Sequence, residues 1–125
     1  MRVAIVDDDS SVRNALRRLL TTSDFVTDTF ASGREFLAAL PGAAPDCVVA
    51  DLKMPEIGGL ELLRALSDRT VKVPVIIMTA FDTAKTRTDC ETLGAVAYLR
   101  KPFEERALLS AISAAVQVPN IAAEH

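Results

Sequence analysis

Histidine is almost missing from this chain: of 125 residues the single one is the last, His125. That argues against a Ser-His-Asp triad, a histidine-ligated zinc site and a phosphohistidine carrier. Cysteine is scarce as well. Cys47 and Cys90 lie far apart without metal-ligand spacing, and Cys47 leads an apolar run, so it reads as a buried reduced thiol. No apolar run approaches the ~20 residues that span a bilayer. Met1-Arg2 passes straight into Val3–Val6 with no signal-peptide pattern, so no membrane span and a cytoplasmic location are expected. An excess of positive charge is lacking too. The formal net charge of -3 argues against a basic face for direct nucleic-acid binding. No repeat or low-complexity segment interrupts the chain.

What is present suits one domain with one sizeable core, since half the residues are hydrophobic and a quarter are charged. Val3-Ala4-Ile5-Val6 is a short continuous apolar run, as expected of a strand covered on both faces. Asp7-Asp8-Asp9 follows it. Val12, Ala15, Leu16, Leu19 and Leu20 then recur at helical spacing, with Arg13, Arg17 and Arg18 on the other side and Asp9 or Ser10 as the cap. A weaker strand runs from Asp24-Phe25 to Phe30, where Thr27, Asp28 and Thr29 mark a partly exposed edge. Ser32 caps a short helix near Arg34–Leu40, closed by Pro41-Gly42. The strand Cys47–Ala50 then delivers Asp51, and Lys53-Met54-Pro55 breaks the pattern.

Gly58-Gly59 leads into a third helix carrying Leu60, Leu62, Leu63 and Leu66. Pro74 precedes the purest apolar run, Val75–Met78, which ends at Thr79. The segment Asp82–Leu93 has helix length but a poor helix composition. Four threonines crowd it, and its apolar stripe shrinks to Ala84, Cys90 and Leu93. Such a helix is held by weak packing and is easily shifted. A fifth strand, Val96–Leu99, ends at Arg100-Lys101-Pro102. The last helix begins at Glu104-Glu105 and buries Leu108, Leu109, Ile112, Ala115 and Val116.

Strands alternating with helices predict a parallel sheet covered on both faces, whose working site lies beyond the carboxyl ends of the strands. Every polar cluster named above stands at such an end. Strands ending in Asp7, Asp51 and Thr79 can be neighbours at roughly 4.8 Å spacing. Three carboxylates in one pocket repel, and Mg²⁺ relieves that repulsion while keeping its own waters. Lys101 supplies a second positive charge, the Thr79 hydroxyl a hydrogen bond, and Ala80 leaves room for a phosphoryl group to enter; Asp51 is then a nucleophile that forms an acyl phosphate. Taken singly, Asp9 is a helix cap, Asp7 or Asp8 a cap or surface acid, and Lys101 a solvated lysine. Tyr98 could equally be core with its hydroxyl at the surface. The ordered set of four strand ends carries the reading.

That set resembles the receiver domain of two-component response regulators over residues 2–117. The resemblance rests on Val6-Asp7-Asp8, Asp51-Leu52-Lys53-Met54-Pro55 with Gly59, Met78-Thr79-Ala80, Gly94-Ala95 and Lys101-Pro102-Phe103. Ser11-Val12-Arg13, Gly33–Leu37 and Gly59–Leu63 look most like FixJ-type transcriptional regulators. The resemblance implies a flavodoxin-like α/β fold, a doubly wound five-stranded parallel sheet of order 2-1-3-4-5 with five helices. It also implies that residues 1–118 form the receiver and 119–125 a C-terminal tail or linker stub. Asp51 would take a phosphoryl group from a sensor histidine kinase or small phosphodonors. Asp8, Asp51 and the Lys53 carbonyl would ligate Mg²⁺, with Asp7 reaching it through water, while Thr79 and Lys101 would bind the phosphoryl group. Tyr98 would turn inward when Thr79 moves, and Lys101-Pro102 would be cis. Asp82–Leu93 and the Tyr98 strand would form the output surface, a homodimer face, with transcription controlled through an output domain absent from this chain. The domain would catalyse only its own phosphorylation and dephosphorylation. By the same resemblance Lys53 and Phe81 influence how water reaches the acyl phosphate, and Phe81 is expected to slow its hydrolysis. Ala97 and Arg100 depart from the family pattern without touching the phosphoryl chemistry.

Three rivals share parts of the pattern. A haloacid-dehalogenase-like phosphohydrolase would use Asp7 as nucleophile, with Thr79 and Lys101 as further motifs, but leaves Asp51 unemployed. A flavodoxin-like flavin carrier needs a phosphate-cradling loop where three aspartates stand. A degenerate receiver acting only as an interaction module predicts no Mg²⁺ binding and no phosphorylation.

Overall fold

The computed structural model describes residues 1–40, 44–68 and 73–123, with side chains up to 116. The chain alternates strand and helix throughout: β1 (Arg2–Val6), α1 (Ser10–Thr22), β2 (Val26–Phe30), α2 (Gly33–Ala39), β3 (Cys47–Asp51), α3 (Gly59–Ser67), β4 (Val75–Thr79), α4 (Ala84–Thr92), β5 (Ala97–Arg100) and α5 (Glu105–Ala123). All strand pairs are parallel, in the order β2-β1-β3-β4-β5. The expected closure of α2 by Pro41-Gly42 lies outside the described residues.

Alternation along the strands sorts the core into two layers. Val3, Ile5, Cys47, Val49, Ile76 and Met78 pack with Leu16 and Leu20 of α1 and Leu108, Ile112 and Ala115 of α5. Ala4, Val6, Val48, Ala50, Val75 and Ile77 pack on the opposite face with Phe36, Leu62, Leu63, Leu66 and Cys90 from α2, α3 and α4. The apolar faces read from α1 and α5 are therefore the buried ones, except that Ala15 is exposed. β2 is an edge strand, which accounts for its polar residues.

Several boundaries differ by a residue or two from the sequence expectation. β2 starts at Val26 because Asp24 takes a left-handed turn, φ 70°, and Phe25 N–H donates to the Leu20 carbonyl. Asp9 is the cap of α1, its carboxylate accepting from the amides of Ser11 and Val12. Thr83 caps α4, so Asp82 belongs to the preceding loop. α5 is helical to Ala123, across the position where the tail was expected to begin. Cys47 is buried and free, and burial pushes its thiol up to about 12, as befits an inert core residue.

Two glycines set how closely α3 approaches the end of β3. A Cβ on Gly58 would collide with the Leu52 carbonyl, and one on Gly59 would lie 2.8 Å from the Ile77 side chain. Gly59 N–H donates to that same Leu52 carbonyl, and Gly58 N–H to the Glu61 carboxylate. The loop after Asp51 is thereby folded down onto the sheet.

Candidate functional site

β1 ends by delivering Asp7 into a fully buried position. One carboxylate oxygen of Asp7 accepts from Asp9 N–H at 2.9 Å, and the other faces Lys101 Nζ at 3.2 Å. Asp8 is exposed. Asp51 closes β3 with its side chain 13 % exposed, and Lys101 Nζ stands 3.6 Å from Oδ1. Lys101 therefore bridges two carboxylates. Oxygens of Asp7, Asp8 and Asp51 all lie within 4.8 Å of one another, the grouping of metal-capable residues found among the described residues.

The electrostatics follow from that crowding. Burial pushes the Asp51 carboxyl up, Lys101 pulls it back, and the charges of Asp7 and Asp8 add to the upward push. One ammonium against three carboxylates leaves excess negative charge, which a hard divalent cation with oxygen ligands would offset. The donor set fits Mg²⁺.

Thr79 is fully buried at the end of β4. Its hydroxyl accepts from Phe81 N–H at 2.8 Å, and its carbonyl accepts from Lys101 N–H at 2.7 Å. The second bond draws the loop after β5 against β4 and so places the lysine. The Lys101-Pro102 bond is cis, as expected. Lys53 is exposed in the loop after Asp51. Alternation puts Asp7, Asp51 and Lys101 in step with the layer on the α1/α5 face, whereas Thr79 and Tyr98 are in step with the α2–α4 layer.

Tyr98, half-buried on β5, does not end in bare solvent. Its hydroxyl is 2.9 Å from Thr86 Oγ1 on α4, and the Arg87 guanidinium lies 4.7 Å over its ring. Burial raises the Tyr98 phenol, against the opposing hydrogen bond from Thr86.

Two participants were not singled out by sequence reasoning. Arg13, assigned to the solvent side of α1, donates from Nη1 to the Asp7 carbonyl at 2.8 Å and clamps the acidic turn. The signal lay in its spacing: long helical side chains lean toward the N-terminus, which here is the Asp triplet. Thr86 counted only as a poor helix former. Its pairing with Tyr98 spans two elements and leaves no local pattern.

The family described as "response regulator receiver domain" matches residues 3–113. The transcriptional regulatory protein FixJ of Bradyrhizobium diazoefficiens is 35% identical over 122 residues, covering 98% of this chain and 60% of FixJ. The DNA-binding transcriptional regulator NtrC of Klebsiella pneumoniae is 44% identical over 100 residues, 80% of this chain and 21% of NtrC. A response regulator receiver protein from Burkholderia phymatum superposes with a TM-score of 0.82 at 43% identity, covering 93% of this chain and 94% of that one. The chain spans less than two thirds of FixJ and about a fifth of NtrC.

Proposed function

This chain belongs to the response regulator receiver domain family, and on that premise we propose that Asp51 accepts a phosphoryl group from a phosphohistidine of a sensor histidine kinase. The observation that carries this reading is the Lys101 bridge between Asp7 and Asp51. It leaves Asp51 as the less buried of the two carboxylates at the mouth of the pocket, while both oxygens of Asp7 are already engaged. That division favours Asp51 over Asp7 as nucleophile and disfavours the hydrolase.

An Asp51 oxygen attacks phosphorus, the phosphorus–nitrogen bond to the donor histidine breaks, and its electron pair returns to the imidazole. Lys101 shifts from the carboxylates toward the phosphoryl oxygens. Thr79 gives up its bond from Phe81 N–H and donates to one of those oxygens. Asp8, Asp51 and the Lys53 carbonyl would hold Mg²⁺, with Asp7 and Arg13 fixing the turn around it. When bound, that ion neutralises charge on the transferring oxygens. Small phosphodonors such as acetyl phosphate serve the same site. On this reading Phe81, whose amide bonds Thr79 and whose side chain is exposed, would shield the product, so Phe81→Ala should speed its hydrolysis several-fold.

The response is read on the surface formed by α4 and the Tyr98 strand, used for a homodimer and for control of transcription through an output domain. Support comes from the FixJ and NtrC likeness and from the sparse packing of α4. The domain transforms no separate substrate, and a cytoplasmic setting agrees with the absence, among the described residues, of a helix long and apolar enough to cross a membrane.

Intact mass after incubation with acetyl phosphate and Mg²⁺ tests the chemistry. Wild type should gain one phosphoryl group, EDTA should prevent it, and Asp51→Asn should abolish it. Labelling that survives in Asp51→Asn and disappears in Asp7→Asn would instead establish Asp7 as the nucleophile.

A further inference from the structure

α4 meets the sheet through buried Cys90 and through one hydroxyl near its start. Thr86 Oγ1 accepts from Thr83 N–H at 3.1 Å while Thr86 N–H donates to Thr83 Oγ1 at 3.1 Å, a reciprocal capping box in which threonine stands where glutamate or glutamine is usual. The same oxygen lies 3.0 Å from the Thr83 carbonyl and 2.9 Å from the Tyr98 hydroxyl. The Thr83 hydroxyl, also 3.1 Å away, is a fourth partner, and a threonine hydroxyl with one proton and two lone pairs serves only three, so these partners compete. A second clamp surrounds the first. Asp82 pairs with Arg87 at 3.1 Å, and Arg87 lies over the Tyr98 ring. Both clamps reach back to the segment that holds Thr79: Phe81 gives its amide to Thr79, and its carbonyl is 3.5 Å from Thr86 Oγ1.

We propose that Thr86 is a positioning residue for the switch: its single hydroxyl is shared between the cap of α4 and Tyr98, so the start of α4 and the placement of Tyr98 cannot change independently. The inference rests on the receiver reading only for the event that releases the latch. The latch itself belongs to the unphosphorylated protein. When Thr79 turns to a phosphoryl oxygen it frees the Phe81 amide, the Phe81–Thr83 segment shifts, and Thr86 loses the geometry that holds Tyr98. Tyr98 then leaves, and Arg87 keeps Asp82 but loses its ring.

Tyr98 is the only tyrosine, and the chain has no tryptophan. Intrinsic tyrosine emission therefore comes from Tyr98 alone and reports its surroundings. Without phosphodonor, Thr86→Val should move Tyr98 emission most of the way to the value that wild type reaches with Mg²⁺ and acetyl phosphate, whereas Thr86→Ser, which keeps the hydroxyl, should not. Tyr98→Phe should change amide exchange at Thr83 and Thr86 by about two- to tenfold, the scale of one neutral hydrogen bond, while Leu62 and Leu63 in α3 stay as they are. Urea unfolding of each variant separates a released latch from a damaged fold. If Thr86→Val and Thr86→Ser share the wild-type emission, or if Tyr98→Phe leaves the α4 amides unchanged, the shared-hydroxyl idea is wrong. A wild type that takes no phosphoryl group by intact mass would instead count against the receiver reading. In that case the two variants' emission and the Tyr98→Phe exchange still decide whether the latch exists.

Discussion

α3 and α4 have the same length, nine residues each, and pack on the same face of the sheet. α3 buries Gly59, Leu62, Leu63 and Leu66, and its first turn is pinned beneath the loop that follows Asp51. α4 buries Cys90 alone. Its remaining attachments are hydrogen bonds and ion pairs at its start, at Thr83, Thr86 and Arg87. Dispersion and burial act over whole faces and resist displacement, whereas a few polar bonds can be exchanged for others at small net cost. One helix anchors the loop after Asp51, and the other is the more loosely attached.

The contrast should show first in the core. Leu62→Ala is expected to cost about 3 kcal/mol and Cys90→Ala about 1 kcal/mol in urea unfolding. Equal losses would erase the difference between the helices. The ion pair belongs to the anchored side, so Lys101→Ala should destabilise the metal-free protein by about 2 kcal/mol. That is less than for a fully buried pair, because Lys101 is 23% exposed. Mg²⁺ should recover part of the loss, and a variant as stable as wild type in EDTA would remove Lys101 from the anchor.

Asp51→Asn should act in the opposite direction, adding on the order of 1 kcal/mol near neutral pH in EDTA. The sign follows from Asp51 holding its proton more tightly folded than unfolded. Its penalty is absent below the ordinary carboxylate range and develops as pH rises through its raised pKa. The advantage of the variant should therefore vanish in acid. An advantage that grows as pH falls would contradict the assignment. The smallest effect belongs to α4: Thr88→Ala, exposed and away from every contact described, should add about 0.5 kcal/mol by helix propensity alone. A gain of that size confined to α4 amide exchange would mark the helix as locally weak.

Much of this was legible in the chain. Apolar runs ending in Asp7, Asp51 and Thr79 announce parallel strands with their business at one end, because only such strands are buried on both faces. The thin stripe of Asp82–Leu93 forecast a loosely packed helix, and Cys90 is indeed its one buried residue. Illegible were contacts that depend on how two elements are set side by side. Arg13 needed the direction in which a helical side chain leans, and Thr86 needed the register that sets Ile77 opposite Tyr98 and brings α4 over both. The division of labour between Asp7 and Asp51 needed their unequal exposure, which two carboxylates at two strand ends do not disclose.

The alternation of β4 and β5 has a consequence of its own. Tyr98 and Lys101 are three positions apart on one strand and its extension, and an odd interval sets them against opposite layers. β5 thus has a reading frame. Deleting one residue between them would put the two side chains in phase with each other, so that phenol and ammonium would crowd onto a single face. Phenol and ammonium are kept apart by parity alone, and a change of one erases it.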